Sequence, residues 1–234
     1  EYLTMVTRKG KIKRVEVNVF AYVRPSGLIA LNLEDDDSLG WVKLTQGEQD
    51  LIIVSEQGKG IRFSEEDVRP MGRAAAGVNA IRLDSWDRVA GVDVVLPDDD
   101  LLVITEKGYG KRTPLEEYRQ QNRYGQGVRA MVLTPERTGK IVTARVVTSG
   151  DEVTCISANG IMLRTSTDEI SQQGRSTQGV RVMDLRPGDF VASVALIRAG
   201  QLSKGNGDES AEIVSVDVAA QNGAEGVAVE DTAV

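Results

Sequence analysis

Histidine is absent from the 234 residues, and cysteine occurs once. The first absence removes the commonest general base and zinc ligand, and with them Ser-His-Asp and Cys-His catalysis. The second excludes a disulfide within the chain and fits a reducing cytoplasm. Cys155 lies in the apolar pattern VTCIS and reads as a small buried hydrophobe. Aromatic residues are also scarce, with three Phe, two Trp and five Tyr, so Val, Ile, Leu and Met must fill any core. No apolar run approaches the ~20 residues of a membrane helix, and no signal-peptide pattern opens the chain. Glu1 leads straight into a strand pattern, which predicts a fragment of a longer protein. A cationic surplus is missing too. Residues 1–199 hold 27 Lys and Arg against 28 Asp and Glu, and residues 200–234 hold one lysine against seven acids. The simplest footprint of nucleic-acid binding is therefore lacking, and such a reading depends on where the arginines sit.

What the chain does have is repetition. Gly10, Gly58, Gly108 and Gly160 each follow a short apolar run, at intervals of 48, 50 and 52 residues. Gly27, Gly77, Gly127 and Gly179 step by 50, 50 and 52, and each precedes an alternating segment: LIALNL, VNAIRL, VRAMVL and VRVMDL. A period near 50 marks propellers and related arrays. Within each module, alternating segments flank a glycine turn, a long loop follows, and two further strand patterns close the unit. The expectation is all-β, with about four blades of four antiparallel strands over residues 1–50, 51–100, 101–152 and 153–199. An acidic tail, 200–234, is expected to be flexible; its IVSVDV leaves room for one more strand.

Basic residues recur at matched places. An arginine stands four residues after the first glycine in every module: Arg14, Arg62, Arg112 and Arg164. Lys11, Lys13, Lys59 and Lys111 cluster beside them. A second arginine precedes the second glycine, as Arg24, Arg73, Arg123 and Arg175, and two modules add Arg129 and Arg181 just after it. One reading is a loop whose glycines admit a polyanion while guanidinium groups grip its phosphates. The other pairs the first arginine series with Glu66, Glu116 and Asp168 inside each module. Both readings stand for that series, whereas the arginines before the second glycine have fewer acids nearby and favour anion contact. The acidic clusters Glu34–Asp37 and Asp98–Asp100 lack the spacing of a calcium loop and read as solvated turns. Paired carboxylates recur in several modules, so no unique catalytic pair exists. No catalytic or metal-ligating residue is expected.

MGRAAAGVNAIRL (71–83), GYGKRTPLEEYRQQNRYGQGV (108–128) and GRSTQGVRVMDL (174–185) resemble the C-terminal domain of bacterial DNA gyrase A. The resemblance runs through all four modules. It implies a β-pinwheel, in which neighbouring blades exchange strands and a basic rim wraps double-stranded DNA without reading sequence. Such domains usually have six blades, and these look like the last four. The family's box Gln-Arg-Arg-Gly-Gly-Lys-Gly is absent; residues 121–127 keep Gln121, Arg123, Gly125 and Gly127 of it. The implied partners are DNA, the upstream cleavage domain of the same polypeptide, and gyrase B of an A2B2 holoenzyme, in a chromosome-associated cytoplasmic setting. ATP and Mg2+ would belong to other parts of that holoenzyme, so no cofactor is expected here. The alternatives are the corresponding domain of topoisomerase IV and a protein-interaction propeller of the chromosome-condensation-regulator type.

Overall fold

The computed structural model describes residues 1–202 and 216–218. The first module forms β1 (Tyr2–Thr7), β2 (Lys11–Glu16) and β3 (Leu39–Thr45). The second forms β4 (Asp50–Ser55), β5 (Lys59–Ser64), β6 (Val78–Asn79) and β7 (Val89–Val94). The third contributes β8 (Asp100–Thr105), β9 (Tyr109–Pro114), β10 (Val128–Arg129) and β11 (Ile141–Val147). The fourth contributes β12 (Glu152–Ser157), β13 (Met162–Ser166), β14 (Val180–Arg181) and β15 (Val191–Ile197), followed by α1 (Ala199–Leu202) and β16 (Val216–Val218).

These strands make four antiparallel sheets, ordered β3-β1-β2-β6, β7-β4-β5-β10, β11-β8-β9-β14 and β13-β12-β15-β16. The short strand of each later module therefore completes the sheet before its own. Because β11 packs against both β7 and β15, and β3 against β7, the return strands line the inner side of the array. The exchanged strands β6, β10 and β14 then occupy the opposite, outer edges.

Alternation along the hairpins explains how the sheets stack. Leu51 and Ile53 face the first sheet and join Val6, Ile12 and Trp41. Ile52 and Val54 face the third and join Leu101, Val103 and Tyr118. A third core joins Leu102 and Ile104 to Val153, Cys155 and Val194. Side chains of a strand point alternately to its two faces, so one apolar hairpin serves two seams.

Two details differ from the sequence expectation. LIALNL was expected as a strand, yet residues 28–33 form none, and Ile29 and Leu33 are exposed. Its counterparts pair with the outer strand of a preceding sheet, and the described residues contain no such sheet for the first module. Within the tail, expected to be flexible, Val216–Val218 adds β16 beside β15; the remaining residues after Leu202 lie outside the described residues.

Charges tie the inner side together. Asp93 on β7 accepts from Lys43 Nζ on β3 at 2.9 Å and from Arg145 Nε on β11 at 3.0 Å. A second group joins Arg8, Glu56 and Lys140 across the same three sheets, at 2.9 and 3.0 Å. Burial pushes the Asp93 carboxyl's pKa up, but Arg145 and Lys43 outweigh that and hold it below its ordinary 3.8. A carboxylate with a depressed folded-state pKa stabilises fully above its unfolded value and loses that contribution as pH falls through the folded one. Asp93→Asn should therefore cost about 3–5 kcal/mol at neutral pH in urea denaturation. It should also flatten the acid limb of stability below about pH 4.

Candidate nucleic-acid interface

After β5, β9 and β13 the chain makes one short 3-10 turn and crosses to the preceding sheet. Met71 N donates to Arg14 O, Gln121 N to Arg62 O and Gln173 N to Arg112 O, each at 2.8 Å. Three matched loops, 65–77, 115–127 and 167–179, thus run along the outer edge. Gly127 and Gly179 end two of them with φ of 70° and 73°. A Cβ there would lie 2.6 Å from Gly60 O and 2.5 Å from Gly110 O. The close approach that these glycines permit is to the neighbouring sheet's backbone rather than to a polyanion.

The arginine series four residues after the first glycine is mostly structural mortar. Arg62 Nε meets Asp50 at 2.8 Å and Arg112 Nη1 meets Asp100 at 2.8 Å; Arg164 pairs with Glu152. The acid lies eight residues before the first glycine, on the adjoining strand, so Glu66 and Glu116 are not the partners. Asp168 does meet an arginine of the series, but it is Arg112 of the preceding module, 3.8 Å away, and not Arg164 of its own. In the first module Tyr2 occupies the acid's place, and Arg14 stacks on its ring with the guanidinium carbon 4.4 Å from the centroid. Arg14 is 6 % exposed and sits 3.5 Å from the buried Glu65. Arg62 and Arg112 also reach the following module, donating to Leu115 O at 3.2 Å and Ile170 O at 2.9 Å.

Lys13 and Lys111 were expected at a DNA contact, but both are 0 % exposed. Lys13 Nζ donates to the carbonyls of Ala30, Arg73 and Ala75. Lys111 Nζ donates to Gly174 O at 2.7 Å, Arg175 O at 2.8 Å and Thr177 Oγ1 at 3.2 Å. Each pins the next module's loop from inside. Burial, with a smaller push from Arg73, lowers the pKa of Lys13. Burial brings Lys111 down to about 8, with Glu117 pulling the other way and Arg175 adding to the fall. Lys11 and Lys59 remain near the surface, paired with Glu34 at 3.0 Å and Asp84 at 2.8 Å.

The arginines before the second glycine do occupy matched outer places, with unequal partners. Arg123 donates to Asp67 O at 3.2 Å and to Asn79 O. Arg175 donates to Arg129 O at 3.2 Å and lies 3.9 Å from Glu117. Arg73 has the corresponding site on the first module, where Val19 replaces the acid, and its guanidinium has no partner among the described residues. Arg24 and Arg129 are exposed, and Arg181 reaches Asp184 at 3.2 Å. Sequence reasoning missed Arg69 and Arg119. Both stand eleven residues after the first glycine, exposed and without a side-chain partner among the described residues. Their signal was present as R-x-x-x-R, Arg69 with Arg73 and Arg119 with Arg123.

Strand-exchanged sheets around an inner side, with arginines repeated along the outer edge, define a propeller-like repeat domain. The chain belongs to the family described as DNA gyrase C-terminal domain, beta-propeller, which matches residues 1–45, 49–96, 99–148 and 151–198. It is 55% identical over 196 residues to the DNA gyrase A protein of Halalkalibacterium halodurans, covering 84% of this chain and 23% of that protein. The identity to the DNA gyrase A protein of Clostridium acetobutylicum is 43% over 224 residues, covering 96% and 27%. Among solved structures, the C-terminal domain of DNA topoisomerase IV aligns with a TM-score of 0.80 at 26% identity, covering 85% of this chain and 62% of that one. A DNA gyrase A C-terminal domain aligns at 0.75 and 29%, covering 83% and 65%. The chain thus spans 23% and 27% of those two relatives and under two thirds of either solved domain.

The inward role of Lys111 is measurable through pH. Its folded pKa of about 8 lies below the ordinary 10.5, so between those values the unfolded chain binds more protons and stability rises with pH. Lys111→Met should remove that rise in chemical denaturation followed from pH 8 to 10. Arg119→Ala should leave it unchanged.

Proposed function

We propose that this chain binds double-stranded DNA along its outer edge and bends it, without reading base sequence, as the C-terminal part of a DNA gyrase A protein. The observation that carries the reading is an outer row in which Arg69 and Arg119 hold one repeat position and Arg73 holds that of Arg123 and Arg175, with the guanidinium groups of Arg69, Arg73 and Arg119 unengaged among the described residues. It stands in a chain whose family is that of the DNA gyrase C-terminal domain. Arg129 and Arg181 extend the row. Arg123 and Arg175 add charge to it while anchoring their loops.

Bending a 20–30 bp site by 40–90° costs about 1–6 kcal/mol by elastic estimates. Phosphate contacts repeated from blade to blade offset this, because each neutralised phosphate releases counterions. A backbone grip of this kind positions the duplex but reads no base edges. Within a complete enzyme the bent duplex would be delivered to the cleavage domain upstream. Gyrase B would supply ATP hydrolysis for negative supercoiling, with ATP and Mg2+ bound outside this chain. The 0.80 TM-score to a topoisomerase IV domain supports a second reading, the equivalent part of that enzyme. Identities of 43% and 55% to DNA gyrase A proteins favour the first.

Duplex binding followed over a salt series tests the proposal. Changing Arg69, Arg73 and Arg119 together to Ala should weaken binding at least tenfold. It should also lower the slope of log K against log salt by about 3, one for each phosphate contact. The denaturation midpoint should not move. An unchanged affinity and slope would return the fold to a protein-interaction role.

A further inference from the structure

The hairpin turn after β8, the exchanged strand β14 and the turn before β15 enclose a cleft of about 530 Å³. A matching cleft of about 330 Å³ lies between the first two blades, where Asn79, Asp84 and Arg88 hold the places of Arg181, Arg186 and Phe190, each 102 residues earlier. The two differ in charge. In the earlier cleft Lys9 and Arg88 face Asp84 and Asp87. In the later one Lys107, Arg137, Arg181 and Arg186 face Glu106 and Asp189.

Tyr109 forms the floor of the later cleft and is 7 % exposed. Its hydroxyl accepts from Arg137 Nε and from Arg181 Nη2, both at 3.3 Å, and both guanidinium groups lie over its ring at 5.3 and 5.6 Å. The bonds from Arg181 and Arg137 lower the phenol's pKa below its ordinary 10. Lys11, Lys59 and Ile161 stand at the matched places in the other modules, so this arrangement belongs to one seam. Arg181 spends Nη1 on Asp184 at 3.2 Å. Both Nη groups of Arg137 and the whole guanidinium of Arg186 have no partner among the described residues. Leu185, Pro187 and Phe190 supply an apolar wall beside them, and Phe190 is 40 % exposed.

We propose that this cleft binds one nucleotide unit, its phosphate on Arg137, Arg181 and Arg186 and its base against Leu185, Pro187 and Phe190. Guanidinium groups match phosphate oxygens in pairs, and an exposed aromatic face stacks any base. The buried phenol fixes two guanidinium groups before the ligand arrives, which lowers the ordering cost of binding. A cavity of about 530 Å³ lies within the usual size range of small-molecule sites. The same chemistry receives a free nucleotide or one nucleotide of a DNA strand, and the DNA case rests on the function proposed above.

The whole chain is titrated with dADP, with inorganic phosphate and with a short labelled duplex. The dADP should bind at least tenfold more tightly than phosphate. The double variant Arg137→Ala with Arg181→Ala should lose at least tenfold of the dADP affinity. Phe190→Ala should weaken dADP and leave phosphate unchanged, and unaltered denaturation midpoints confirm that the variants fold. Displacement of dADP by duplex identifies a strand-borne nucleotide, and simultaneous binding identifies a free one; either supports the site. The assignment falls if phosphate binds as tightly as dADP, or if dADP does not sense the double variant. A duplex affinity that still depends on Arg69, Arg73 and Arg119 would then leave the DNA-binding function standing.

Discussion

Each of the first three sheets of this protein is completed by the module that follows it, and that exchange is the constraint from which the rest descends. The loop that carries the exchanged strand must leave its own hairpin, cross a seam and lie along a neighbouring edge. Its backbone groups need partners on that edge, which the carbonyls of Arg14, Arg62 and Arg112 provide. Its end must approach Gly60 and Gly110 more closely than any side chain permits, so glycine recurs there. Its middle is thereby held on the outside of the array, the one place where repeated side chains can face a common partner. The same wiring that closes the sheets therefore displays the arginines.

Charge inside the array follows the same logic. Lys43, Asp93 and Arg145 hold equivalent positions on three successive return strands, with signs that alternate. Asp93 therefore serves two neighbours at once, in a buried setting where an unpaired charge would be costly. Lys13 and Lys111 satisfy carbonyls that a crossing loop turns inward. A near balance of acids and bases over residues 1–199 is thus compatible with a cationic edge, because much of the basic complement is consumed at seams. Net charge says little about a rim when the ion pairs are internal.

The period, the hairpins and the all-β class were legible because glycine turns and alternating apolar runs are local signals that survive repetition. The family resemblance stood on those same segments. Which face each cation takes was not read, although the repeat contained the clue. Three residues after the first glycine the modules read Lys13, Ile61, Lys111 and Leu163. An apolar residue in two of four copies marks an inward register, and the structure buries both lysines there. Eight residues before that glycine they read Tyr2, Asp50, Asp100 and Glu152. This series supplies the partners of the arginines on the next strand, and where the acid gives way to Tyr2, an ion pair gives way to ring stacking. Spacing along one strand predicted pairing within a loop, but the real partners lie across a ladder.

The ends of the array show what exchange demands. LIALNL has the alternation of a strand, yet it joins no sheet among the described residues, and Ile29 and Leu33 are exposed, as are Val42 and Leu44 on β3. A short segment with the right pattern does not become a strand by itself, because its backbone groups and apolar side chains gain only when a neighbouring edge receives them. VNAIRL, VRAMVL and VRVMDL have that edge, and the first two residues of each pair with it as a short strand. Among the described residues no later module lends the fourth sheet one, and its extra strand, Val216–Val218, comes from beyond α1 and joins the opposite side, at β15. Identical local patterns thus reach different states according to what stands next to them. For the same reason, equivalent arginines differ from seam to seam: the Arg123 guanidinium donates to Asp67 O and Arg175 lies near Glu117, whereas Val19 stands at the matching place for Arg73, whose guanidinium has no partner among the described residues.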